Sequence, residues 1–287
     1  MNRTWVGGGN NEANNPNDWS PTGAPQTGDT LSDPVNGSTI NVTGNALRGD
    51  AFSIPVLTQG VTFDLTHYGQ LNLNSSIGSG TVANVSGVAK IDVTTTFAPV
   101  PETLRVNLAG YSLLFGTFDL GTSTYATVVG GEYWDSGTTA LKGGNLVLDT
   151  SVVGSGTFDL TTGTSRYGPI PSTLEFGGYV SRGQTVNVTG ASLPVNRISS
   201  VQIDQPTKFH GTVDLHDFSF AQLDGLAQAD SWTYTNDLLS IDNSHGRVID
   251  TLHIVSAASG SPHGLSVSMN SAGDVIVNPG TSFHGTV

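Results

Sequence analysis

Hydrophobic and polar residues alternate along almost the whole chain in short runs. Examples are Ser38-Thr39-Ile40-Asn41-Val42, Gln70-Leu71-Asn72-Leu73-Asn74, Lys90-Ile91-Asp92-Val93, Asn145-Leu146-Val147-Leu148-Asp149, Thr185-Val186-Asn187-Val188 and Asp274-Val275-Ile276-Val277. A period of two sends Ile, Val and Leu to one side of a strand and Asn, Asp, Thr or Ser to the other. The runs stop at Gly, Asn, Ser and Asp, which supply turns. Only Phe218 to Ala229 carries a helical spacing, with Phe218, Leu223 and Leu226 able to share a face, and Gly225 weakens it. The pattern predicts an all-β chain.

Two short words recur. Gly-Thr-Phe/Val-Asp-Leu stands at Gly116–Leu120, Gly156–Leu160 and Gly211–Leu215, with a degenerate copy at Val61–Leu65. Asn-Val-Thr/Ser-Gly stands at Asn41–Gly44, Asn84–Gly87 and Asn187–Gly190. The spacing is too irregular for propeller blades and suits a solenoid whose coils take roughly 20–25 residues and carry insertions. Phe209-His210-Gly211-Thr212-Val213 is copied as Phe283-His284-Gly285-Thr286-Val287. The second copy reads as the start of another unit, and the sequence as a piece of a longer repetitive chain.

Composition agrees with stacked coils. Of 287 residues, 37 are Gly, 13 Pro and none Cys, and only 11% are charged, well under the roughly 25% of an ordinary domain. Like charges stacked on every rung would repel, so a solenoid has reason to be charge-poor. The missing cysteines exclude a disulfide scaffold, a thiolate metal site and a cysteine nucleophile, and they suit an exported chain. The formal charge of −13, with lysine only at 90, 142 and 208, argues against nucleic acid as a partner. No apolar run is long enough for membrane insertion, and the opening residues show no signal-peptide core.

The opening segment is the most specific signal: Trp5-Val6-Gly7-Gly8, Ala13, Trp19-Ser20-Pro21-Thr22-Gly23-Ala24-Pro25 and Gly28-Asp29-Thr30-Leu31. It resembles the segment that opens many bacterial autotransporter passengers and other adhesin-like β-helical surface proteins, with Asp18 where Asn usually precedes the second Trp. Pro206 to Pro279 is similar to a repeat unit of such proteins. The resemblance implies a right-handed parallel β-helix, extracellular or on a bacterial cell surface. It divides the chain into a capping segment at 1–35, coils at 36–205 and a more irregular β unit at 206–287.

Candidate chemistry is sparse. There is no nucleophile elbow, zinc-protease helix motif, P-loop or calcium loop, and no cofactor is expected. Gly-Gly at 130–131, 143–144 and 177–178 reads as tight corners. His210, His216, His245, His253, His263 and His284 crowd the C-terminal part but lack ligand spacing on any one element, so they read as surface or corner residues and no metal site is expected. Arg48-Gly49-Asp50 spells an integrin tripeptide, a word short enough to arise by chance. The carboxylates read as single outward Asp at strand positions (Asp92, Asp149, Asp204). Glu132-Tyr133-Trp134-Asp135 is the best glycan contact, because aromatic rings stack on sugar faces beside acids that accept hydroxyl protons; Tyr125, Tyr167 and Tyr179 are expected on neighbouring coils. The expected function is non-enzymatic, an adhesin or structural stalk touching polysaccharide or a neighbouring cell surface, with possible head-to-tail self-association. A polysaccharide-active enzyme of the phage tailspike kind is the first alternative and a glycan- or metal-binding module the second.

Overall fold

The computed structural model describes residues 1–7, 11–26, 29–33, 38–43, 51–66, 68–95, 101–165, 168–190, 198–256, 264–280, 282 and 284–287. Among the described residues strand makes up 68% and helix 3%, and parallel coils stack into a β-solenoid. The chain forms two compact units, residues 1–134 and 135–287. No helix among the described residues is long and apolar enough to cross a membrane.

The first unit opens with the segment that carries the resemblance, and several of its described residues have a mechanical task. Trp5 and Trp19 are buried and meet edge to face at 5.1 Å, and Trp19 Nε1 donates to the Ala13 carbonyl at 2.9 Å. Asp29 accepts from the N-terminal amine at 2.7 Å and from Arg3 Nε at 2.6 Å. Those two cations, with the Gln26 amide, hold its carboxyl well below the usual range. Gly23 leaves room for the Arg3 guanidinium, which would lie 3.0 Å from a Cβ there. Asn2–Trp5 then pairs parallel with Thr30–Ser32 and passes the register to the coils.

Strands Thr39–Thr43, Thr62–Thr66, Thr81–Thr95, Glu102–Phe115 and Thr124–Asp135 pair in parallel. Ile40, Phe63, Ala83, Val106 and Val128 fall in register and are buried, as are Val42, Leu65, Val85 and Leu108 beside them. Each such Val, Ile, Leu or Phe contributes about 1.5–3 kcal/mol by leaving water. The longer strands bend at glycine. Gly130 and Gly131 (φ 77° and 49°) turn Thr124–Asp135 through a corner, where a Cβ on Gly131 would sit 2.5 Å from the Ser112 carbonyl. That pair is the tight corner its sequence suggests.

In the second unit, Asn145–Gly154, Thr173–Phe176, Ser199–Ile203 and Ser219–Leu223 form one parallel face. Thr138–Lys142, Thr157–Thr161, Thr185–Val188, Thr212–Leu215 and Val248–Ser256 form another. Between them Phe158, Phe176 and Phe209 stack at centroid distances of 5.4 and 5.5 Å. Beyond Leu223 antiparallel pairing joins the parallel order: Val275–Gly280 lies on Ser219–Leu223, and Leu238–Asn243 lies between Ala229–Thr235 and Val248–Ser256. The stretch that carried a helical spacing is a strand followed by turns instead. Phe218 takes a positive φ of 58° at a corner, and Ser219–Leu223 alternates in burial because Ala221 and Leu223 stack over Val201 and Ile203.

The copied pentapeptide adopts two pairings. Thr212 and Val213 lie in a parallel rung, whereas His284–Thr286 runs antiparallel to Ala229–Thr235, with Thr286 opposite Ser231. The strands beside each copy, not its own residues, set its direction.

Candidate functional site

Most copies of the recurring words turn out to be successive rungs of outer columns; the copy at Gly116–Leu120 stands apart, with Asp119 beside Thr94. In the first unit Asn41, Asp64, Asn84 and Asn107 align in register. Asn84 Nδ2 donates to Asp64 Oδ1 at 2.8 Å across 20 residues, and Asn107 Nδ2 to Asn84 Oδ1 at 2.9 Å across 23. In the second unit Asp159, Asn187 and Asp214 align, and Asn187 Nδ2 donates to Asp159 Oδ1 at 2.6 Å across 28. Setting an amide between acids replaces repulsion at a rung spacing of ~4.8 Å with a charge-assisted hydrogen bond. A groove runs beside each column. That of the first unit, about 540 Å³, passes Asp64, Asn84, Asn107, Leu108 and Val129, and that of the second, about 490 Å³, passes Lys142, Asp159, Asn187, Asp214 and His216.

Period-two geometry divides the expected glycan contact. Glu132 is half-buried and Trp134 is 42% exposed, while Tyr133 and Asp135 are fully buried. Tyr133 packs edge to face on Phe118 at 5.7 Å, and its hydroxyl donates to the Gly116 carbonyl at 2.7 Å. Trp134 lies tilted against Phe115 at 6.2 Å. Register continues that outer column as Gln70, Lys90, Phe115 and Trp134, with Lys90 paired to Asp92 and with Glu132 over Leu113 alongside. The strand register therefore adds Phe115 and Lys90, which spacing in sequence did not suggest. Tyr125 is exposed on the same strand but before the glycine corner, Tyr179 lies in the second unit, and Tyr167 falls outside the described residues.

Asp135 is held apart from the surface. Gly137 N reaches its Oδ1 at 3.3 Å, but Oδ2 has no donor, and burial pushes its carboxyl up to about 6. Gln184 Nε2 donates to the Asp135 carbonyl at 3.2 Å and to the Val153 carbonyl at 2.9 Å, while its own Oε1 also lacks a donor.

The carboxylates of the second unit are not single. Glu175 stands in a column with Gln202 and Gln222, and it feels the charges of Asp204, Asp224 and Asp149. Gln202 Nε2 bridges Asp204 Oδ1 at 3.2 Å and Asp224 Oδ2 at 2.9 Å; Gln222 Nε2 bridges Asp224 Oδ1 at 2.9 Å and Asp274 Oδ2 at 3.3 Å. Burial, then the neighbouring acids, raises Glu175; burial raises Asp204 too, with Gln202 opposing and Asp224 and Asp149 adding to it. The signal was present as an apolar-x-apolar-Asp ending at Asp149, Asp204 and Asp224.

His210 meets the Tyr179 ring at 5.5 Å and His216 faces Asp214 at 3.5 Å. Among the described residues no group of His, Asp and Glu is arranged to hold a metal ion. His67, His263 and Arg48-Gly49-Asp50 lie outside the described residues. Comparison with known proteins finds no matching family model, no matching curated protein and no matching solved structure.

Proposed function

We propose that this chain is a non-enzymatic extracellular β-solenoid of a bacterial surface protein, serving as an adhesin or structural stalk. The observation that carries the reading is the Asn–Asp columns. Outer polar side chains spend their hydrogen bonds on the coils above and below, which favours stiffness over holding groups apart for chemistry. The Phe115–Trp134 pair, flanked by Lys90, Asp92 and Glu132, supplies the contact patch, since aromatic faces stack on sugar C–H faces and the charged rim fixes hydroxyls. The opening segment's likeness to surface passengers supports the location.

The test is retention of the purified chain on immobilised polysaccharides and intact cells, with Trp134→Ala as control. Retention lost in the variant, at unchanged circular dichroism, is the expected result. Release of reducing ends from any polysaccharide offered would overturn the non-enzymatic reading. A second reading, polysaccharide cleavage, is favoured by the raised carboxyls of Glu175 and Asp204 in the company of Asp149 and Asp224, because shifted carboxyls beside other acids are a mark of acid–base sites. In that case Glu175→Gln abolishes the release.

A further inference from the structure

The groove of the second unit differs from that of the first in what lines it. One column offers Asp159, Asn187 and Asp214 on successive rungs, and the column two residues on offers Lys142, Thr161, Thr189 and His216. Ala140, the small residue in register with Asp159, keeps one end low. Acceptors thus face donors and hydroxyls across a trough that repeats every ~4.8 Å. Its volume, about 490 Å³, is within the roughly 300–1,000 Å³ of small-ligand sites.

The lining selects among ligand classes. A polyanion would meet Asp159 and Asp214. A polyamine would meet Lys142. A divalent cation needs several oxygen ligands drawn together, whereas Asn187 separates the two acids and no metal-holding group of His, Asp and Glu exists among the described residues. An uncharged polyol satisfies both columns: its hydroxyls donate to Asp and Asn oxygens and accept from Lys142, His216 and the threonines. A repeating polyol also matches a repeating trough, one ring to about one coil.

We propose that this groove binds a neutral oligosaccharide lengthwise across the coils, with Asp159, Asn187 and Asp214 as one wall of hydrogen-bonding groups and Lys142, Thr189 and His216 as the other. The site needs neither extracellular placement nor the Phe115–Trp134 patch, so it stands or falls apart from the function proposed above.

The experiment is calorimetric titration of the whole chain with hexasaccharides of β-1,4-, α-1,4- and β-1,3-linked glucose, with oligogalacturonate and calcium chloride as separate titrants. One neutral series is expected to saturate, while oligogalacturonate and calcium do not. Thr189→Val, which deletes one hydroxyl, should weaken binding about tenfold, the worth of one hydrogen bond. Ala140→Phe fills the trough and should abolish binding. Trp134→Ala should leave it unchanged. Circular dichroism identifies any variant that fails to fold, and the other then decides. The proposal is overturned if no neutral series binds, if calcium or oligogalacturonate binds in its place, or if binding survives both groove substitutions and is lost only in Trp134→Ala.

Discussion

Replacing Asp135 by Asn isolates the cost of a carboxylate sealed inside the second unit. The side chain is fully buried, one oxygen lacks a donor, and the carboxyl titrates at about 6 in place of its ordinary 3.8. The cause is desolvation, with the Gly137 amide partly offsetting it. Below pH ~4 the carboxyl is protonated whether the chain is folded or not, and the group costs nothing. As pH rises through the window from 3.8 to about 6 the unfolded carboxyl ionises while the folded one keeps its proton, so stability falls. Above pH ~6 both forms are ionised and the full penalty stands, about 3 kcal/mol at ~1.4 kcal/mol per pH unit. Asn keeps the shape, carries no charge and brings a donor to the region where Gln184 Oε1 has none. The expected result is a variant of near wild-type stability at pH 4 and more stable by about 2–3 kcal/mol at pH 7. Urea unfolding at half-unit pH steps measures it, read by hydrogen exchange in peptides covering 157–161 and 185–188. Other raised carboxyls such as Glu175 and Asp204 cancel in the difference between the two proteins. Parallel stability–pH curves for wild type and variant would refute the reasoning.

The remaining predictions concern the first unit. Asp29 carries the opposite sign: its carboxyl is held low by the N-terminal amine and Arg3, so its contribution is present above pH ~4 and fades as pH falls through its lowered folded-state value. Asp29→Asn should remove that acid sensitivity, seen as hydrogen exchange of the strand at 2–5 that no longer accelerates between pH 4 and 2. Gly131→Ala should lower the melting temperature of the first unit, at a cost above 1 kcal/mol, because the new Cβ meets the Ser112 carbonyl at 2.5 Å on a backbone with φ 49°; an unchanged melting curve would refute the corner assignment.

What was legible in the sequence was whatever depends on one strand at a time. Alternation in Thr185–Val188 or Asn145–Asp149 names the buried face without knowledge of any neighbour, and glycine pairs name corners. Contacts between coils were not legible, because the step from one rung to the next varies: Asp64 reaches Asn84 in 20 residues but Asp159 reaches Asn187 in 28. The two recurring words therefore looked like separate motifs, although in each unit copies of both share a column. Asp149 and Asp204 looked solitary for the same reason. Glu132-Tyr133-Trp134-Asp135 looked like one patch because adjacency in sequence is opposition in a strand, and Phe115, the real neighbour of Trp134, comes from the preceding coil.

The alternation of acid and amide in the Asp159–Asn187–Asp214 column bears on how such a chain can lengthen. Copying a single coil would lay Asp159 directly against its own duplicate, with repulsion on the order of 1 kcal/mol even in water-like surroundings. Copying two coils together repeats the acid–amide order and leaves every new junction neutralised by an Asn. On this face an acid-bearing coil is therefore best copied together with an amide-bearing one, whereas an amide-bearing coil can be copied alone, as Asn84 beside Asn107 illustrates.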